Sequence, residues 1–234
     1  MKAVILAGGL GTRLEPFTRV IPKPLLPIGD KSVLEIQISL LKKYGFDEIF
    51  LATNYRSEYF ESFFGDGSKF GVKLKVSQET KALGTVGPLK LLEKELDENF
   101  LVMNGDILTL LDFGKFMKFA KSQKSLLTVG VKELITPFAF GNIFSEGDFV
   151  TGIQEKPDIK MNILAGVYSF QPEALRNIPK DTYFGMDFLI KSMLAEKKPV
   201  SKYQISEYWL DIGRMDDFEK AQDIYKTHFM ESTP

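Results

Sequence analysis

Along the first hundred residues, short apolar runs rich in β-branched residues alternate with segments whose apolar positions recur every three or four residues. VILA leads into a glycine loop, and VLEIQISLLKKYG, EIFLAT, YRSEYFESFFG, VKLKVS, VGPLKLLEKEL and FLVMNGD follow in turn. Strands alternating with helices in this way predict βαβ units and a mainly parallel sheet covered by helices. In VLEIQISLLKKYG the residues Val33, Leu34, Ile36, Ile38, Leu40 and Leu41 mostly share one helical face, and Gly45 supplies a stop. After Asp106 the pattern changes. Strand-like stretches near SLLTVGV, AFGNIFSEGD, FVTGIQEK and NILAGVYSF, with short turns between them, predict an inserted or appended mixed-sheet lobe. A helix from about Gly185 to Glu196 and another from Met215 onward close the chain.

Composition narrows the chemistry. With 234 residues, 44% of them apolar, the chain buries a sizeable core and reads as one domain with room for a subdomain. No apolar run approaches the ~18 residues of a membrane span, and the first residues lack a signal peptide's pattern, so the expectation is a cytoplasmic protein that engages no membrane. A net charge of −1 argues against a nucleic-acid platform. There is no cysteine, which removes disulfides, thiolate nucleophiles and Cys-based zinc sites together. The one histidine, His228, falls in a polar C-terminal stretch and is poorly placed for general-base work. Chemistry therefore rests on carboxylates, lysine, arginine, backbone amides and a hard metal.

The loop AGGLGTR directly follows the first predicted strand. Amides freed there can cradle phosphate oxygens or a base edge, and glycine permits their close approach. The alternative is a tight strand-to-helix turn with no ligand. Two familiar phosphate motifs are excluded. GLGTRL lacks the third glycine of a dinucleotide fingerprint, with Asp30 in a turn where an acid closing a second strand would be needed, and no Gly-Lys-Ser/Thr occurs. Arg13 can hold phosphate oxygens with a bidentate fork, and Lys23 sits between two stiffening prolines in PKPLLP. Each cation alone is an ordinary surface residue; with the glycine loop they point to a polyanion. Asp106 closes the apolar run FLVMNGD, and Asp211 closes another in YWLDIG. Two carboxylates plus triphosphate oxygens suit octahedral Mg²⁺. The alternative for each is a helix or turn cap.

AGGLGTRL, PKPLLPIGDKSVLE, GDGSKFG, LGTVGPL, NGD, EKP and WLDIG, in this order, resemble the sugar-1-phosphate nucleotidylyltransferase family over nearly the whole chain. The resemblance implies an α/β fold: a Rossmann-like three-layer architecture of the nucleotide-diphospho-sugar transferase type, with a mainly parallel mixed sheet and a small sugar-binding lobe. It divides one domain, residues 1–234, into a nucleotide-binding part (about 1–110), a sugar-phosphate-binding part (about 111–213) and a C-terminal helix (215–228). It implies that Arg13, Lys23, Asp106 and Asp211 are catalytic, the two aspartates holding Mg²⁺. Leu6, Ala7, Gly8, Gly9, Gly11, Thr12 and Gly105 would line the nucleotide, with Gln78, Gly84 and Thr85 reading its base. Asn104, Gly141, Glu155, Lys156, Leu164, Ala165 and Gly166 would form the sugar-phosphate pocket. At Leu164 the chain departs from the family, which often has Asn there.

The implied substrates are a nucleoside triphosphate and a sugar 1-phosphate. The wording is most similar to mannose-, glucosamine- and heptose-1-phosphate guanylyltransferases, which favours GTP over UTP, CTP or dTTP. A catalytically inactive, nucleotide-sensing subunit of the same fold is a rival reading, weakened by the presence of all four catalytic residues. A dehydrogenase is weakened by the broken fingerprint. A homo-oligomer is compatible with the sequence, and no hexapeptide repeat follows the catalytic region.

Overall fold

The structure is a computed structural model that describes residues 1–54 and 56–229. Its strands are β1 (Lys2–Leu6), β2 (Pro27–Ile28), β3 (Lys31–Ser32), β4 (Glu48–Thr53), β5 (Lys73–Gln78), β6 (Phe100–Asn104), β7 (Ile107–Thr109), β8 (Leu127–Pro137), β9 (Asn142–Glu146), β10 (Phe149–Gln154), β11 (Asp158–Phe170), β12 (Val200–Gln204) and β13 (Trp209–Asp211). The α-helices are α1 (Val33–Lys43), α2 (Ser57–Phe64), α3 (Phe113–Ser122), α4 (Met186–Ala195) and α5 (Met215–His228).

Seven strands form the central sheet in the order β12-β8-β11-β6-β1-β4-β5. β11 runs against its neighbours β6 and β8, and the other pairs are parallel. β1 shows why the sheet is covered on both faces. Its alternate residues Ala3 and Ile5 pack with Leu34, Ile38 and Leu41 of α1, Phe60 of α2 and Phe116 of α3. Val4, between them, packs on the opposite face with Leu89, Leu92, Leu189 and Met193. An unbroken apolar run is what such a doubly covered strand requires. A third cluster joins α5, through Ala221 and Tyr225, to Leu14, Leu26, Ile28 and Ile212.

Local signals explain the boundaries. α1 begins in a capping box, in which the Ser32 side chain accepts from Glu35 N–H and the Glu35 carboxylate accepts from Ser32 N–H. Two expectations need correction. VGPLKLLEKEL forms a 3₁₀ segment, Gly87–Leu92, in place of a regular α-helix. α3 lies where no helix was expected, although Phe113, Phe116, Met117 and Ala120 make a buried stripe behind the Asp112 cap. His228 is the last residue of α5, its ring stacked 6.4 Å from that of Tyr208. The segment YRSEYFESFFG supplies α2 from Ser57, while Tyr55 lies outside the described residues.

In the second half β8, β11 and β12 complete the central sheet, while β9 and β10 form a two-stranded sheet of their own. Residues 127–131 of β8 and 165–170 of β11 are buried within it, whereas 133–137 and 158–162 continue outward as an exposed two-stranded ribbon. The β9–β10 hairpin continues this projecting lobe. Among the described residues no helix is long and apolar enough to cross a membrane.

Candidate active site

The cleft opens at the carboxyl ends of β1, β4, β5 and β6. Here β1 connects onward to β4 on one side and pairs with β6 on the other, the switch point at which open α/β sheets bind ligands. A cavity of about 430 Å³ lies there, floored by Leu6, Ala52 and Asn104 and walled by Gly8, Gly9, Gly84, Thr85 and Pro88. A Cβ on Gly8 would stand 3.2 Å from Asn54 N, and one on Gly105 would meet Leu6 O at 2.9 Å. Backbones approach closely enough there that side chains are excluded. Gly11 adopts a left-handed φ of +64°, where a Cβ would also press on Thr18 and Lys23. Thr12 opens the 3₁₀ turn that carries Arg13. Ala7 is buried, its N–H donating to Ala52 O at 2.7 Å, so it shapes the loop from below without lining the cavity.

At one end of this cavity the predicted charged residues converge. Antiparallel pairing of β13 with β7 sets Asp211 opposite Ile107, and Ile212 N–H donates to Asp106 O at 3.0 Å. The two aspartates come from segments a hundred residues apart and end as neighbours. Lys23 donates to Asp106 Oδ2 and lies 4.0 Å from Asp211 Oδ1. The guanidinium of Arg13 packs against Gly213, two residues beyond Asp211. Burial and then repulsion from Asp106 raise the Asp211 pKa above the usual carboxylate value, with Lys23 and Arg13 opposing that rise. α5 holds the lysine's loop in place: Gln222 donates to Pro27 O at 2.8 Å and accepts from Gly29 N–H at 2.9 Å, while Tyr225 donates to Asp30. From α1, the buried Gln37 amide donates to Asn104 O at 3.0 Å and Ile107 O at 2.8 Å, gripping the backbone on both sides of Asp106.

A family profile described as Nucleotidyl transferase matches residues 2–228. The chain belongs to the nucleotidyl transferase family. It is 35% identical over 245 residues to a protein of Dictyostelium discoideum named mannose-1-phosphate guanylyltransferase catalytic subunit beta, covering all of this chain and 67% of that one. It is 33% identical over 242 residues to a UTP–glucose-1-phosphate uridylyltransferase of Synechocystis, covering 94% of this chain and 62% of the relative. Among solved structures, HddC from Yersinia pseudotuberculosis complexed with GMP-PN superposes with a TM-score of 0.74 at 29% identity, over 96% of this chain and 99% of that one. The chain thus spans about two thirds of the length of these curated relatives and nearly all of this solved one.

The nucleotidyl transferase cleft fits a divalent cation on its own evidence. Asp106 Oδ1 and Asp211 Oδ1 are both buried without a hydrogen-bond partner. Unpartnered buried carboxylate oxygens are costly, and a hard cation satisfies both while relieving their repulsion.

Gln78 requires correction as a base reader. It is exposed, and its amide oxygen accepts from Ser57 of α2 at 3.0 Å, away from the cavity. Its neighbour Glu79 is the residue that lines the cavity, 6% exposed, with Oε2 accepting from Leu83 N–H at 3.0 Å. Burial raises its pKa above the ordinary glutamate value, and the Leu83 hydrogen bond moderates the rise. Strand parity carries the missed signal: the apolar Leu74 and Val76 pack on the α1–α3 face, and Gln78 shares their parity.

The projecting lobe carries Gly141, where a Cβ would stand 3.0 Å from Glu155 Oε2, and the exposed Lys156 at a φ of +44°. None of these lines the 430 Å³ cavity, nor does Leu164, 41% exposed and opposite Val131. Asn104 joins the two regions, lining the cavity and filling the space beside Gly166, where a Cβ would meet its Nδ2 at 2.7 Å. Ala165 is buried, and its carbonyl accepts from Trp209 Nε1 at 2.7 Å.

Proposed function

We propose that the chain transfers a nucleotidyl group from GTP to a sugar 1-phosphate, forming a nucleoside-diphosphate sugar and pyrophosphate. The observation that carries this reading is the convergence of Arg13, Lys23, Asp106 and Asp211 at the end of a nucleoside-sized cavity. A phosphate monoester has a second pKa near ~6, so the acceptor arrives with a nucleophilic oxygen and needs no side-chain base. That oxygen attacks the α-phosphorus. As the new P–O bond forms, the bond to the β-phosphate oxygen breaks, and pyrophosphate leaves with the electron pair. Asp106 and Asp211 would hold Mg²⁺, which when bound neutralises charge on the triphosphate. Lys23 passes from Asp106 to the α-phosphate, and Arg13 bonds the outgoing phosphates; both oppose charge that grows in the transition state. On the lobe, Lys156 holds the sugar's phosphate and Glu155 a pair of hydroxyls.

Glu79 supports guanine as the base. A carboxylate accepts from two adjacent donors, and guanine alone among the common bases presents an N1–H beside an exocyclic N–H₂. A uridylyl reading has the Synechocystis relative in its favour, yet uracil offers such a carboxylate a single N–H. Pyrophosphate release measured with GTP, UTP, CTP and dTTP against a panel of sugar 1-phosphates tests both. We expect GTP to be preferred and Glu79→Gln to shrink its kcat/KM advantage by about 10- to 100-fold. An advantage unchanged by the substitution would remove Glu79 as the reader, and no release with any pair would remove the reaction.

A further inference from the structure

A second concavity, of about 540 Å³, lies away from the cleft between the outer stripe of α1 and the turn that follows α2. Glu35, Ser39, Lys42 and Lys43 line one wall, at spacings that bring them to one side of α1, and Lys31 of β3 extends that wall. Lys69 and Phe70 form the other. Exposed helix stripes usually balance lysine with acid at four-residue spacing. Here Glu35 is already committed, its Oε2 accepting from Ser32 N at 2.7 Å and from Ser32 Oγ at 2.9 Å. The ammonium groups of Lys42, Lys43 and Lys69 therefore share the concavity with one engaged carboxylate, on a chain whose net charge is −1.

The walls also show construction. Lys42 reaches across to the turn, its Nζ 2.1 Å from where a Cβ on Gly71 would stand, at a φ of +68° that itself favours glycine. The side chains of Lys42 and Lys43 make no hydrogen bond or ion pair among the described residues. On the opposite wall Lys69 is pinned by a hydrogen bond to Phe63 O and lies 4.9 Å over the Phe70 ring. Ammonium groups are thus presented from two separate elements around a concave, partly apolar surface. Closely spaced like charges are unfavourable unless an anion joins them, and lysine binds phosphate as a point charge.

We propose that this groove is a second anion site, separate from the catalytic cleft, that takes the di- or triphosphate group of a small molecule. The volume is of the size that encloses a nucleotide or a sugar diphosphate. The site stands independently of the reaction proposed above.

The test uses the full chain and sodium tripolyphosphate as probe, followed by amide chemical shifts in two-dimensional NMR. Saturable shifts are expected at Lys42, Lys43, Lys69 and Phe70. Lys42→Gln/Lys43→Gln/Lys69→Gln should weaken that binding at least about tenfold. Lys115→Gln/Lys118→Gln/Lys121→Gln on α3 removes the same charge elsewhere and should leave it unchanged. Equal weakening by both variants, or no groove shifts up to about 10 mM probe, would overturn the site. Repeating the titration with a nucleoside diphosphate, a sugar 1-phosphate and phosphatidylglycerol vesicles identifies the source of the phosphate. Binding to vesicles without binding to any soluble phosphate would overturn the small-molecule assignment.

Discussion

The glycine-loop half and the projecting lobe solve opposite problems. In the first, the ligand-facing loops spring directly from buried strands, and glycines at 8 and 105 let backbones nearly touch. In the second, the polar residues ride on a ribbon and hairpin whose apolar side chains, such as Phe140, Phe149 and Ile153, remain exposed. A cavity bounded by packed backbone is organised before its ligand arrives, whereas a solvated ribbon gains its packing from what it touches. Under the proposed function the common substrate would be met by the packed part and the variable one by the exposed part.

The strongest challenge to this contrast is Asp106→Asn. It sits on the packed side and should lower turnover by about 10²- to 10³-fold while leaving the circular dichroism melting curve almost unchanged. Near wild-type turnover at saturating Mg²⁺ would sink the metal assignment. Next in size is the pair Lys23→Ala and Lys156→Ala. The buried Lys23 should show itself mainly in kcat, and the exposed Lys156 mainly in the KM for the sugar phosphate, by about tenfold. Identical kinetic profiles would erase the division of labour.

A subtler probe is Leu164→Asn on the exposed ribbon. If this side chain faces a sugar carbon, the variant should reorder kcat/KM among mannose, glucosamine and deoxy-sugar 1-phosphates by about 3- to 10-fold. An unchanged order would confine Leu164 to packing. The smallest effect is thermodynamic. Because the folded-state pKa of Asp211 is raised, its ionised form costs stability at neutral pH, and that cost disappears as pH falls through the folded value. In EDTA, Asp211→Asn should therefore raise the melting temperature slightly, on the order of 1 °C, while abolishing activity. A clear fall would mean that its pairing with Lys23 outweighs the repulsion from Asp106.

What the sequence disclosed follows the same division. Burial writes itself as period, so the strands ending in Leu6 and Asn104 and the helix over Val33–Lys43 were legible, as were the charged residues at their ends. The pairing that brings Asp211 to Asp106 was not, because β7 and β13 are three-residue strands too short to carry a pattern. Gln78 was named as a base reader on the resemblance; counting the parity of Leu74 and Val76 would have turned it toward α2. α3 escaped notice because the change to strand-like patterning after Asp106 drew attention from Phe113, Phe116, Met117 and Ala120. The lobe was legible as strand-like runs with short turns, but the choice of Gly141, Glu155 and Lys156 within it rested on motif words, since a ribbon exposed on both faces leaves no apolar period to read.

Gly166 sets a limit on how this molecule can diversify. Its φ of +67° marks the break in register between β8 and β11, and any side chain there would collide with Asn104. The position is closed to mutational search, and with it the junction between the two binding regions. New acceptor preferences have to be explored one or two steps outward, at Leu164 and Asn162, where the ribbon is exposed and a substitution disturbs no core. A lineage could thus exchange one sugar for another while its nucleotide chemistry stayed untouched.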